Sequence, residues 1–238
     1  MLSSAEGIAN VDDAHNLGYD GEGTVIAIID VGCDTSHDFF KTAPENPRYS
    51  KEDIDNLVKT IPLNAGTASG NQVYKNAKIP YAYNYTENSG DTYIHSQEHG
   101  THVAGIAAGK NGVGPDGSLF SGVAPEAQLL ALSCATETGY LSTAAVLAAL
   151  NDAVLLKADV INMSFGSAYI DVLCTDIYQK VLNSCREAGV SVIAANGNSS
   201  RGYNDIVPIT DRPDYSTGGM PYGEPSTTAV ASVNNANQ

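Results

Sequence analysis

With 238 residues the chain is long enough to bury a sizeable core and is most economically one α/β domain or most of one. Its formal net charge of −15, with only 12 Lys and Arg, excludes a surface built to neutralise nucleic-acid phosphates. The run of about 18 apolar residues that a membrane span needs is absent from the sequence, so no span is expected in this chain. Met1 to Asn10 lack the basic stretch and apolar core of a signal peptide, so the chain is expected either to stay inside the cell or to begin at a trimmed end. The four cysteines, Cys33, Cys134, Cys174 and Cys185, contain no Cys-x-x-Cys pair; free buried thiols are expected rather than a zinc site.

A short amphipathic helix is predicted from Val11 to Leu17, closed by Gly18 and followed by the turn Asp20-Gly21. Thr24 to Ile29 is a continuous apolar, largely β-branched run, the pattern of a strand buried on both faces of a parallel sheet. It stops at Asp30, which places a carboxylate at the carboxyl end of a central strand, where open α/β sheets gather ligands and chemistry. Residues 38–97 carry four prolines and several polar runs and read as an inserted loop region, with a short helix over Lys51 to Val58 and an extended segment over Tyr81 to Tyr85. The tyrosines in it are assigned to packing rather than to substrate.

Glu98-His99-Gly100-Thr101-His102-Val103-Ala104-Gly105-Ile106-Ala107-Ala108-Gly109 comes next. Its small residues surrender packing volume and helix propensity so that neighbouring backbones can come close, which suits a helix that holds His99 in a crowded place. An imidazole with an ordinary pKa of about 6.5 can take a proton and return it, the task of a general base in acyl transfer. By itself His99 could equally be a structural histidine, or with His95, His102 and Asp30 a weak metal-ligand set. Gly112 to Ser121 is a glycine-rich turn region without the Gly-Lys-Ser/Thr of a phosphate loop. Ser142 is placed to cap a helix reaching about Lys157, followed by a strand over Asp159 to Met163. A helix over Asp171 to Ala188, stopped by Gly189, precedes a strand over Val190 to Ala195. That alternation means crossovers and a parallel sheet.

Three segments in this order resemble the landmarks of the subtilisin-like serine proteases: Ile28 to His37, the histidine stretch, and Ser191 to Ser199. The resemblance runs through the whole chain, and within the family it points to the large cell-envelope proteinases of the lactocepin and streptococcal complement-cleaving types, carried also by Val207 to Tyr215 and Glu224 to Val233. It implies a three-layer α/β fold with a mostly parallel central sheet, incomplete at the carboxyl end, and a serine endopeptidase acting on protein or peptide substrates. Asp30 would orient the base His99, and Asn198 would bind the oxyanion. Ser164, Phe165 and Gly166, after Val160 to Met163, would form the strand edge that holds an extended peptide. His37 matches a structural histidine of the family. Val31 stands where the family has a hydroxyl residue, and Asn196 where it has a small one, so that Asn196 could contest the role of Asn198.

The nucleophile motif Gly-Thr-Ser-Met-Ala is absent, and Gly66-Thr67-Ala68-Ser69 precedes the histidine instead of following it. A base and an oxyanion hole without a nucleophile form no acyl-enzyme, so residues 1–238 are expected to be the amino-terminal portion of a peptidase domain, inactive alone and in need of the carboxyl-terminal part as a partner. The alternative is a non-catalytic subtilisin-like protein that holds peptides along Ser164 to Gly166. The resemblance implies an extracellular or cell-wall location, no cofactor for the chemistry, and structural calcium whose ligands map onto no identified residues here.

Overall fold

Val25–Asp30 (β1) lies inside the sheet because both of its faces are apolar and both are covered. Val25, Ala27 and Ile29 belong to the larger core, whereas Ile28 belongs to a second one on the opposite face. The computed structural model describes residues 7, 9–66, 68–94, 96–114, 117–166, 172–197 and 225–231, with backbone alone for 172–175. The other strands of the main sheet are β2 (Tyr81–Asn84), β5 (Gln128–Ser133), β6 (Val160–Met163), β7 (Ser191–Ala195) and β8 (Thr227–Val230). They form one six-stranded sheet in the order β2-β5-β1-β6-β7-β8, parallel at every pairing. A separate antiparallel ribbon pairs β3 (Gly112–Val113) with β4 (Leu119–Phe120), so the glycine-rich turn region is a short hairpin.

Helices cover the sheet on each side. In chain order they are α1 (Val11–Asn16), α2 (Lys51–Thr60), α3 (Gly70–Val73), α4 (His99–Ala108), α5 (Thr143–Leu155) and α6 (Val172–Glu187). The larger core packs Val146, Leu150 and Ala153 of α5 and Leu182 of α6 against Ala27, Ile29, Leu130 and Leu132. The smaller packs Ala104 and Ala108 of α4 against Ile28, Leu129 and Ala131. Three layers follow, with α4 alone among the long helices of the described residues on the second face. The caps act as their residue types predict. Ser50 and Asp53 form a reciprocal capping box on α2, Ser142 Oγ accepts the Ala145 N–H at the start of α5, and Gly189 closes α6 at φ +81°.

Residues 38–97 are more than an inserted loop. Tyr81–Asn84 joins the sheet as its outer strand with every residue buried, and α2 and α3 precede it. Single buried polar side chains stitch the region to the rest. Asp152 on α5, fully buried, accepts the backbone N–H groups of Asn64 (2.7 Å) and Ala65 (3.0 Å), the Asn64 amide (2.8 Å) and the Tyr85 hydroxyl (3.0 Å). Gln128 donates to the carbonyls of Tyr49 (2.9 Å) and Ala77 (2.7 Å) and accepts the Tyr49 N–H (2.7 Å). Such buried groups are tolerated because each has its partners. Cys33, Cys134 and Cys185 are free and buried, as expected, while the side chain of Cys174 lies outside the described residues.

Lys78 is the buried cation of this region. Its Nζ donates to the carbonyls of Pro125 (2.7 Å) and Ala127 (2.6 Å), and burial pulls its pKa down to about 7. An unfolded lysine titrates at about 10.4, so between those values the unfolded chain holds a proton that the folded chain lacks, and stability rises with pH across the window. Below pH 7 the cost of charging the buried amine is fully present. Urea unfolding at pH 7 and at about pH 9.5 is expected to show a gain on the order of 2 kcal/mol that Lys78→Met lacks. Equal pH dependence in the two proteins would contradict it.

Candidate active site

Asp30 ends β1 at the carboxyl edge of the sheet. Strand register sets Ser133 of β5 beside it and Asn84 of β2 beyond, so a buried polar row interrupts the apolar α4 face at this edge. The chain then turns through Val31, Gly32 and Cys33 under the start of α4. Contact there is close: a Cβ on Gly100 would lie 2.0 Å from the Gly32 carbonyl oxygen, and one on Gly32 would lie 2.5 Å from the Thr92 carbonyl oxygen. Thr101, one residue further along α4, accepts the Asp34 N–H at 2.8 Å. The small residues of α4 thus serve an approach of backbone to backbone.

That approach sets His99 Nδ1 2.8 Å from Asp30 Oδ1 across 69 residues of chain. The two ends of the pair differ in solvent access, the carboxylate being 3% exposed and the imidazole 53%, so the ring has a closed side facing Asp30 and an open one. Burial raises the Asp30 pKa, opposed by hydrogen bonds from His99 and from the Val31 N–H, the latter 2.7 Å from Oδ1. Val31 brings no hydroxyl, and the donation to Oδ1 comes from its backbone. Oδ2 has no hydrogen-bond partner among the described residues. Burial first, and the carboxylates of Asp34 and Asp30 next, push the Cys33 thiol up to about 12; burial and Asp30 push Cys134 higher still, so both thiols beside the pair are neutral.

Other residues singled out by sequence fall around this pair. Ser164 follows Met163, the register partner of Ile29, and so leaves the sheet next to the end of β1; its Oγ accepts from Asn162 Nδ2 at 2.9 Å. Phe165 packs partly against the larger core, and Gly166 is exposed. Asn198 lies outside the described residues, as does His95. Asn196 follows β7 directly, its N–H bonded to the Val230 carbonyl at 2.8 Å, and Gly197 turns the chain at φ +86°. His37 has structural contacts: its Nδ1 accepts the Phe39 N–H at 3.3 Å, and its ring meets those of Phe39 and Phe40. His102 borders a cavity of about 330 Å³ on the flank of α4, together with Asp34, His37, Phe39, Tyr93 and Glu98. Among the described residues no three of His, Cys, Asp and Glu are grouped to share an ion, and His95 of the metal-ligand set lies outside them. Ser133 and Thr92, both buried around the Asp30 turn, are not singled out by sequence; a polar residue closing the apolar run Leu129 to Leu132 is the available signal for Ser133, and nothing marks Thr92.

A buried carboxylate thus grips a half-open imidazole at the carboxyl edge of the central strands of a three-layer parallel-sheet protein, the edge where open α/β sheets gather ligands and chemistry. The profile of Peptidase S8, the subtilase family, matches residues 21–238, and the chain belongs to that family. It is 38% identical over 218 residues to C5a peptidase of Streptococcus pyogenes serotype M3, covering 89% of this chain and 18% of that protein. It is 33% identical over 249 aligned residues to the PII-type proteinase of Lactococcus lactis subsp. cremoris, covering 98% of this chain and 12% of that protein. The PI-type proteinase of the same organism matches with the same identity and coverage. The chain therefore spans less than a fifth of the length of these relatives.

Proposed function

We propose that residues 1–238 are the amino-terminal portion of the peptidase domain of a subtilisin-type serine endopeptidase that hydrolyses peptide bonds in protein substrates. The observation that carries the reading is the 2.8 Å hydrogen bond between His99 and the buried Asp30. His99 acts as the base, Asp30 holds its tautomer and stabilises the imidazolium, and a serine supplied from outside these 238 residues attacks the carbonyl. Asn198 donates to the oxyanion, and the strand end Ser164-Phe165-Gly166 pairs with an extended peptide. The chemistry draws on no cofactor. The likeness to the streptococcal and lactococcal proteinases favours an extracellular or cell-wall location.

The test compares the 238-residue polypeptide, the same polypeptide co-folded with the downstream segment, and the full-length protein on an extended peptide. Hydrolysis by the second and third, and none by the first, is expected. A full-length protein that binds the peptide without cleaving it would replace this reading with a non-catalytic peptide-binding one. Within the active protein, Asn198→Ala is expected to lower kcat by roughly 100-fold or more with little change in KM, because an oxyanion donor acts on the transition state. If Asn196→Ala has that effect and Asn198→Ala does not, the oxyanion role belongs to Asn196.

A further inference from the structure

A relay of hydrogen bonds runs into the Asp30–His99 pair from a neighbouring strand. Ser133 Oγ donates to the Val31 carbonyl at 3.0 Å, the Val31 N–H donates to Asp30 Oδ1 at 2.7 Å, and the same oxygen meets His99 Nδ1 at 2.8 Å. Ser133 is buried, and parallel register holds it alongside Asp30, so its hydroxyl is fixed by β5 rather than by the turn it grips. Without a side-chain donor at Val31, the Asp30 carboxylate depends on how well the turn holds that backbone N–H in line. A second hydroxyl closes the far side of the turn: Thr92 Oγ1 donates to the Cys33 carbonyl at 2.8 Å, and the Cys33 N–H donates to the Thr92 carbonyl at 2.9 Å.

We propose that Ser133 is a positioning residue for the charge-relay pair: its hydroxyl locks the Val31 backbone so that the Val31 N–H stays on Asp30 Oδ1 and the carboxylate stays aimed at His99. Ser133 touches neither substrate nor His99 and acts through Val31. The inference rests on the reading of Asp30 and His99 as the relay pair. Removing the hydroxyl frees the Val31 carbonyl and loosens the turn, which weakens the Asp30–His99 hydrogen bond, so that the charged imidazole formed in the reaction loses support. The neutral thiols of Cys33 and Cys134, together with Asp34 on the turn, Glu98 just before α4 and His102 on it, are the same in every variant, so a changed pH profile reports the pair itself.

The experiment is a pH–rate profile of the full-length protein with Ser133→Ala and Ser133→Thr, with His99→Ala as the reference. Ser133→Ala is expected to lower kcat about tenfold at an unchanged KM and to move the acid limb of kcat/KM about half a unit to lower pH. Ser133→Thr, which keeps the hydroxyl, is expected to restore both. Wild-type kcat and an unmoved acid limb in Ser133→Ala overturn the proposal, as do equal losses in the two variants, which would mark Ser133 as a packing residue. Failure of the underlying reading is seen separately, as activity that survives His99→Ala.

Discussion

His99→Ala in the full-length protein is expected to lower kcat about 10⁴-fold or more, with KM changed little, because base and nucleophile act as a unit and neither works alone. Asp30→Asn is expected to approach that loss even though it preserves the shape of the side chain, since an amide can present its N–H to Nδ1 and favour the wrong tautomer. The informative comparison is His102→Ala. His102 sits three residues further along the same helix and borders the flank cavity rather than Asp30, so its removal is expected to change kcat by less than about threefold. Turnover that survives His99→Ala would remove His99 from the mechanism, and a His102→Ala protein as impaired as His99→Ala would show that the loss is not specific to the residue paired with Asp30. The solvent access of the pair sharpens the expectation. Asp30 is closed off and the ring is half open, so a proton taken on its outer edge can pass to a leaving group while the inner edge stays held.

Much of this was legible in the sequence where chemistry and local pattern coincide. The β-branched run before Asp30 could hardly be other than a buried strand, and the small residues after His99 announced a helix pressed against backbone. The elements that escaped are held by partners remote in sequence. What escaped of Tyr81–Asn84, read as an extended segment over Tyr81 to Tyr85 among prolines and polar runs, is its place as a buried outer strand of the main sheet, where Gln128 and Asp152 satisfy the backbone of the segments around it from 51 and 87 or more residues away. No local pattern encodes such a contact. The same holds for the Asp30 turn. Val31 reads from sequence as a lost donor, whereas its backbone N–H makes the bond and Ser133, 102 residues on, holds that backbone in place. Thr227–Val230 adds an outer strand whose exposed residues gave no periodic signal.

Gly100→Ala is expected to reverse the usual sign of a glycine-to-alanine change in a helix. In an exposed helix the substitution stabilises by about 1 kcal/mol, because alanine has the better propensity and the smaller entropy loss. At Gly100 the new Cβ would fall 2.0 Å from the Gly32 carbonyl oxygen and 3.0 Å from the Asp30 Cβ. Neither neighbour can yield. Gly32 is itself pressed against the Thr92 carbonyl, Val31 is bonded to Ser133, and Asp30 is the last residue of a central strand. The helix must lift instead, and it carries His99 with it. The expected result is a loss of about 4 kcal/mol or more in denaturant unfolding, from overpacking against a backbone that cannot relax. In whatever fraction folds, kcat is expected to fall by about 100-fold, from a displaced base. Gly105→Ala supplies the control on the same helix. Its Cβ would meet only the Phe39 ring, at 3.3 Å, a side chain that can give way, so a change within about 1 kcal/mol is expected there. If Gly100→Ala proves as stable and as active as the parent protein, α4 does not rest on the Asp30 turn, and the crowding that fixes His99 must have another source.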